Sequence, residues 1–479
     1  NQMFLGHRAY GFEAAAQVYY GANIGELSLA QLAMLAGLPK APSRFNPISN
    51  PDRALIRRNW ILGRMYSLGY INEADFQFAQ RESVTASHHG AKLAFNAPYA
   101  AEMARSEMVR NYGLAAYNDG YHVYTTISSK LQLSANNAVS DGLAEYDARH
   151  GYRGPEEQLP PLEGVDGTEA WLSRLAQVST VGNRQPAFVS TIEDEQIQVL
   201  LSSGELEALP WDNGPSSARA YIDENRRGPR PENPAALFSP GDLIRVSRDD
   251  TGALHLTQIP AAQSALVSLK PDNGAILSMV GGLGFSQSKF NRVTQASRQP
   301  GSNFKPFIYS AALEHGFTAA SIINDAPVVF EDAALEDTWR PENDGGKFYG
   351  PTRLRWALTK SRNLVSIRLL RELGINNAIN YAGRFGFDTT ELAADLSLAL
   401  GTHAITPLQV ASAYASLANG GYRVHPFLID RVEDFDREAI YTAAPATVCR
   451  PCEQPENTQA PDDLDLNEEL SMEDILGQA

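Results

Sequence analysis

A Pro-Gly break that opens directly into an apolar run is the feature that most constrains this chain. In Arg298-Gln299-Pro300-Gly301-Ser302-Asn303-Phe304-Lys305-Pro306-Phe307 the break gives way to Phe307–Leu313, and the run ends at Gly316. That pattern predicts a helix start. Positions three apart share a helical face, so the Ser302 hydroxyl and the Lys305 amine are expected within hydrogen-bond reach at the first turn. Pro306 fits there because first-turn amides have no intrahelical acceptor. A neutral serine hydroxyl is a poor nucleophile and needs a base. A lysine half-buried at the positive end of a helix can have its pKa lowered enough to serve. Taken alone, Ser-x-x-Lys fits an ordinary surface helix cap as well, and the flanking sequence has to decide.

A second constellation follows. Thr352 to Lys360 reads as a short helix, Ser361-Arg362-Asn363 interrupts it, and an amphipathic run from Leu364 to Leu373 ends at Gly374. A Ser-x-Asn turn between two helices can present a hydroxyl, Ser361, beside an amide, Asn363, one to relay a proton and one to hold a substrate amide. The simpler reading makes Ser361 an N-cap.

Gly-Ser-x-x-Lys-Pro followed at this distance by Ser-x-Asn resembles the penicillin-binding transpeptidases and their serine β-lactamase relatives, whose signature is Ser-x-x-Lys with a later Lys-Thr-Gly. The amino-terminal region carries a separate resemblance. Residues 1–6, Ala-Ala-x-x-Tyr-Tyr-Gly, Gly-Leu-Pro-Lys-Ala-Pro-Ser-x-Phe-Asn-Pro and Arg57-Arg58-x-x-Ile-Leu together resemble the back half of the lysozyme-like peptidoglycan glycosyltransferase domain. That family polymerises lipid II with catalytic acids that precede the matched region. Arg57 and Arg58 match its last motif, whose charges would meet pyrophosphate oxygens; the alternative is two solvated arginines. Together the resemblances point to the class A penicillin-binding proteins, nearest the 1A type of Gram-negative bacteria.

Composition is that of a globular chain. A length of 479 residues implies about two to four domains, and 43% hydrophobic residues are ample for packed cores. A net charge of −16 argues against nucleic acid as a partner. Part of that charge is local, since Glu453 to Asp474 holds nine acids and no base. No apolar run reaches the roughly 18 residues a spanning helix needs, and no signal-peptide pattern is present. Because the chain starts at Asn1 inside what reads as a continuing helix, it is expected to be a portion of a longer protein. The two cysteines, Cys449 and Cys452, admit a disulfide, half a zinc site or free thiols, and a local structural role is favoured.

In order, the chain reads as a multidomain α+β protein. Residues 1–92 are helical, with a proline-rich loop from Leu38 to Pro47. Residues 93–170 read as a linker region containing a helical connector, a strand at His122–Ile127 and a helix from Ser129 to Tyr146. Residues 171–260 offer short alternating runs at 177–181, 186–192, 196–201, 243–246 and 255–259, with a disordered-looking Asp223 to Pro234 between them. They suggest a small barrel, matching the OB-like insertion that the resemblance implies. Few cationic aromatics line it, so a protein-contact or spacer role is expected. Residues 261–440 hold a hairpin over Gln263–Gly282 and the transpeptidase motifs, and 441–479 an acidic tail or insertion.

One departure stands out. The family completes its site with Lys-Thr/Ser-Gly on a strand, yet no lysine here is followed by Thr-Gly or Ser-Gly. That triplet is expected beyond Ala479, and the segment by itself is expected to label poorly with penicillin. What the resemblance implies is a peptidoglycan synthase of the inner membrane's periplasmic face. It would be anchored outside this segment and would act on lipid II and peptidoglycan strands. Ser302 would be the nucleophile, Lys305 the base, Ser361 the relay and Asn363 a substrate-binding residue. β-Lactams would be its covalent inhibitors, and an outer-membrane or periplasmic activator could dock on the OB-like domain. No cofactor is expected for transpeptidation and no metal ligand is assigned, although glycan polymerisation admits a divalent cation. A D,D-carboxypeptidase or β-lactamase and a non-catalytic envelope scaffold are the competing readings.

Overall fold

Small residues and capped helix starts set the architecture of the first unit, residues 1–96. The computed structural model describes residues 3–7, 9–89, 95–161, 164–328 and 339–449. Helices α1 (Phe12–Tyr20), α2 (Leu29–Gly37), α3 (Pro51–Ser67) and α4 (Glu73–Arg81) make up this unit. Ser28 and Gln31 form a reciprocal capping box at the start of α2, and Pro51 opens α3 where no amide is needed. Ala15, Ala16 and Tyr19 of α1 pack with Leu35 and Leu38, and Ala30 and Ala33 of α2 pack with Leu62 and Ala79. Alanines on these faces let the helices approach closely.

The second unit, residues 97–479, begins with α5 (Pro98–Tyr112), a short α6 (Ala115–Asn118), β1 (His122–Thr125) and α7 (Ser129–His150). These residues do not behave as a linker. Ala100, Ala104 and Met108 of α5 pack on Ile276, Met279, Leu428 and Val432, and β1 pairs antiparallel with residues 429–433. From α7, Gln132 exchanges two 2.9 Å hydrogen bonds with the backbone of Met279. The strand expected at 122–127 is observed over His122–Thr125, and its partner lies some three hundred positions later in the sequence.

The chain then enters a six-stranded antiparallel sheet. In sequence come β2 (Glu157–Gln158), helix α8 (Gly164–Leu175), β3 (Gln185–Ile192), β4 (Gln196–Leu201), β5 (Leu206–Pro210), a small hairpin of β6 (Tyr221–Asp223) and β7 (Arg226–Arg227), then β8 (Asp242–Arg248) and β9 (Leu254–Thr257). The spatial order is β2-β8-β3-β4-β5, with β9 on β8. Strand alternation puts Ala187, Val189, Ile197, Val199 and Ile244 into one core with Phe238. It puts Phe188, Leu200 and Leu243 into a second core under Trp171 and Leu175 of α8. Both faces are therefore buried. Two expectations are corrected. Residues 177–181 are not a strand, and the 223–234 stretch begins with an ordered hairpin. There Asp223 accepts from the Asn225 amide (3.0 Å) and pairs with Arg226 (2.7 Å).

The remainder surrounds one buried helix. Strands β10 (Leu266–Leu269) and β11 (Ile276–Val280) form the expected hairpin, followed by a single-turn α9 (Arg292–Gln295) and α10 (Lys305–Glu314). After β12 (Ile322–Asp325) and β13 (Gly350–Arg353), which pair, come α11 (Leu354–Thr359), α12 (Asn363–Leu373), α13 (Ile375–Arg384) and α14 (Pro407–Ala418). Strands β14 (Ile429–Glu433) and β15 (Ala439–Thr442) end the regular structure, and β14 lies between β1 and β15. Phe307, Ile308 and Ala311 of α10 pack against Ile367, Leu370 and Phe387, while Tyr309 and Ala312 pack against Ile323, Leu354 and Val365. Those two apolar faces bury most of α10, leaving Leu313 and Glu314 of its last turn exposed, and the helix carries the Ser302–Lys305 turn at its amino end. Cys449 is disulfide-bonded, which removes the free-thiol and zinc alternatives for that residue. Cys452 and the acidic stretch 453–474 lie outside the described residues.

Candidate active site

The Pro-Gly break folds as a 3-10 turn over Gly301–Phe304, and the α-helix starts at Lys305. Ser302 is thus one turn ahead of the helix, on an exposed position, rather than within its first α-turn. Three contacts hold that turn in place. Arg298 exchanges two 3.0 Å backbone hydrogen bonds with Ile405, the Gly301 amide donates to Gly401 O (3.1 Å), and the Tyr414 hydroxyl donates to Asn303 O (2.8 Å). Gly401 has φ 65°, and a Cβ there would overlap the Gly301 carbonyl, so only glycine satisfies both the backbone and the approach. Phe304 points inward and meets the edge of His403 with ring centroids 4.3 Å apart. Both His403 nitrogens are buried without a hydrogen-bond partner among the described residues, and burial lowers its pKa.

Lys305 is the centre of the site. It is 1% exposed, and its Nζ donates to Ser361 O (2.7 Å), Ser361 Oγ (3.0 Å) and Asn363 Oδ1 (2.7 Å). The structure therefore brings Lys305, Ser361 and Asn363 together. Among the described residues no hydrogen bond joins Lys305 to the Ser302 hydroxyl, contrary to the spacing argument, because the amine is turned toward the 361–363 turn. Desolvation brings its pKa down to about 8. Ser361 has φ 52°, in the left-handed region that a non-glycine residue occupies at a cost of about 1–3 kcal/mol. It is not the N-cap of α12: the cap position is Arg362, which makes no side-chain cap.

The Asn363 amide is engaged at both ends, since Nδ2 also donates to Glu342 O (2.9 Å). Sequence reasoning missed the groups behind it. Asn343 accepts from the amides of Asn363 (2.9 Å) and Leu364 (3.3 Å) and donates to the Asp325 carboxylate (2.7 Å). Arg362 stacks on Tyr349, its guanidinium carbon 3.5 Å from the ring centroid. Nothing in local spacing links residues 325, 343 and 363; the polar run Glu342–Gly346 reads as a loop and no more.

The two arginines of the helical unit differ. Arg58 is buried and donates to Glu82 O (2.8 Å), Gln80 O (3.0 Å) and Asn59 Oδ1 (3.1 Å). Its guanidinium is spent on tying α3 to the end of α4, so neither solvation nor a phosphate contact describes it. Arg57 is half-buried over Trp60, 4.4 Å from the ring centroid.

Comparison with known proteins covers most of the chain. Residues 264–463 match the penicillin binding protein transpeptidase domain, 152–262 the penicillin-binding protein OB-like domain, and 1–66 the transglycosylase domain. Penicillin-binding protein 1A of Pseudomonas aeruginosa is 54% identical over 94% of this chain and 54% of its own length. The Escherichia coli protein of that name is 43% identical over 95% of this chain and 53% of its own. The crystal structure of penicillin-binding protein 1A from Haemophilus influenzae superposes with a TM-score of 0.81 at 39% identity, covering 95% of this chain and 66% of that one. The chain spans about half the length of the curated relatives it matches.

Proposed function

Given that the chain belongs to the class A penicillin-binding proteins, we propose that it serves a bifunctional peptidoglycan synthase, with Ser302 as the acylated nucleophile of D,D-transpeptidation. The observation that carries this reading is the buried Lys305 amine, its three N–H groups on Ser361 O, Ser361 Oγ and Asn363 Oδ1, one turn from an exposed serine. An ammonium with every hydrogen engaged has no lone pair to offer. Loss of one proton frees it, and a pKa brought down to about 8 makes that loss accessible near neutrality.

In the reaction, Ser302 Oγ adds to the penultimate D-Ala carbonyl of a stem peptide and its proton passes to neutral Lys305 Nζ. The bond to the terminal D-Ala nitrogen then breaks. The Ser361 hydroxyl, which can both accept and donate, passes a proton from Lys305 to the departing amine. An amine of a neighbouring stem attacks the acyl-serine carbonyl and gives a proton to neutral Lys305 Nζ, and the Ser302 Oγ–acyl bond breaks as that proton passes on to Oγ. Asn363 binds the stem's amide backbone through the second N–H of Nδ2, the first staying on Glu342 O. β-Lactams acylate the same oxygen.

A serine transpeptidase domain needs no cofactor. For glycan polymerisation from lipid II, we assign the diphosphate contact to Arg57, half-buried over Trp60, while Arg58 acts as a structural tie. A divalent cation there would draw on other residues, because among those described no three His, Cys, Asp or Glu side chains come together. No helix among the described residues is long and apolar enough to cross a membrane, and we place the protein at the periplasmic face of the inner membrane on the strength of its family. The OB-like sheet is assigned to contact with an envelope activator protein.

The test is covalent. A labelled penicillin incubated with the full-length protein is expected to add to Ser302, read by mass mapping of the adduct. Attachment at Ser361 or elsewhere would overturn the assignment.

A further inference from the structure

We propose that Asn343 is a positioning residue of the serine site, setting the 361–363 turn and, through Asn363, the Lys305 amine. The inference rests on the transpeptidase reading and adds a residue to it.

Helix α12 begins at Asn363, and its first amides need acceptors that the helix cannot supply. Its own cap residue, Arg362, offers none. Asn343 Oδ1 supplies both bonds, to the Asn363 and Leu364 amides at 2.9 and 3.3 Å. Its Nδ2 donates to Asp325 Oδ1 at 2.7 Å and Lys347 O at 2.9 Å. Two donors and two acceptor positions are the whole capacity of an amide side chain, and all four are used. Asn343 is 5% exposed and Asp325 0%, so this amide has one stable orientation, with its oxygen toward α12 and its nitrogen toward the carboxylate.

The consequence reaches the amine. With Asn343 seated, the neighbouring Glu342 carbonyl accepts from Asn363 Nδ2. That bond fixes which end of the Asn363 amide faces Lys305, and the end presented is the oxygen. A flipped Asn363 would set an NH2 group against an ammonium. The chain of orientation runs from Asp325 through Asn343 and the 342–343 backbone to Asn363 and Lys305. It also holds the turn in which Ser361 keeps φ 52°. A residue that merely capped α12 would need only an acceptor. Asn343 combines the acceptor with two donors that anchor it to β12 and to its own loop.

The test uses the full-length protein and the acylation rate constant for a fluorescent penicillin. Asn343→Ala is expected to acylate about 10- to 100-fold more slowly, the scale of a misplaced catalytic group. The rescue is the double variant Asn343→Asp with Asp325→Asn. The introduced carboxylate still accepts from both α12 amides and now receives a hydrogen bond from the introduced amide, so the contact is restored with reversed polarity, at the cost of the donor to Lys347 O and of the 4.0 Å ion pair between Arg362 and Asp325. Recovery to within about threefold of wild type is expected. Leu373→Ala, a cavity at the far end of α12, is the stability control and should acylate normally below its melting temperature.

Wild-type acylation by Asn343→Ala, or a folded double variant no faster than the single one, overturns the proposal. If Asn343→Ala does not fold, the double variant decides alone. Hydrogen exchange on the wild type is independent of chemistry. Slow exchange at the Asn363 and Leu364 amides supports the cap, and exchange at exposed-loop rates overturns it. A wild type that acylates nowhere sinks the transpeptidase reading and leaves the exchange result standing.

Discussion

Lys305 is costly to keep where it is, and that cost is what makes it useful. An enclosed ammonium is disfavoured by desolvation and retained by three acceptors. Lys305→Arg keeps a cation at the position but cannot take up a proton at any accessible pH. We expect it to lower acylation by a factor of about 10² to 10⁴ while circular dichroism and melting stay near wild type. Near-normal labelling would make Lys305 structural. A second prediction concerns pH. Because the pKa is lowered from the ordinary 10.5 to about 8, the neutral fraction grows as pH rises toward 8. Acylation should climb about tenfold per pH unit well below that value and level off above it. A profile flat from about pH 6 to 9 would assign the proton to another group. Ser302 and Lys305 were legible from spacing. Their geometry was not, because the amine's partners lie 56 and 58 positions away.

At the level of elements, the serine turn is braced by the segment around Gly401 and His403. Gly401→Ala would place a methyl group on the Gly301 carbonyl at a φ of 65°. We expect a lower melting temperature and slower acylation together, and an unchanged rate would show that the turn does not depend on this approach. His403 is held neutral by burial, its pKa below the usual imidazole value. The unfolded chain takes up that proton as pH falls through about 6.5, whereas the folded protein does so only at lower pH, so stability is lost on acidification through this window. His403→Leu removes the titration. Its melting temperature should fall less between pH 7 and pH 5 than that of the wild type, and equal falls would show that His403 plays no part.

At the scale of the second unit, Arg184 joins α7 to the OB-like sheet. It is buried and donates to Ser140 O, Ser140 Oγ and Gln258 O, each at 3.1 Å. Arg184→Leu would leave buried carbonyls unpaired, for an expected loss of about 2–4 kcal/mol in urea unfolding; a loss below about 1 kcal/mol would show that the sheet and α7 are held together by other contacts. The sequence by itself determined the local elements. Strand alternation marked β3, β4, β8 and β9, the apolar run marked α10, and a turn of Pro, Asp, Asn and Gly marked the β10–β11 hairpin, since each signal lies within a few residues of its effect. Tertiary structure alone decided what depends on distant partners. It placed β1 beside β14, made residues 97–150 of the expected 93–170 linker region part of the second unit, engaged Arg58 with the Glu82 and Gln80 carbonyls and swung Lys305 toward Ser361 and Asn363. A hydrogen bond or a buried face is completed by whichever residue the folded chain brings near, and no periodicity in the sequence records that residue's number.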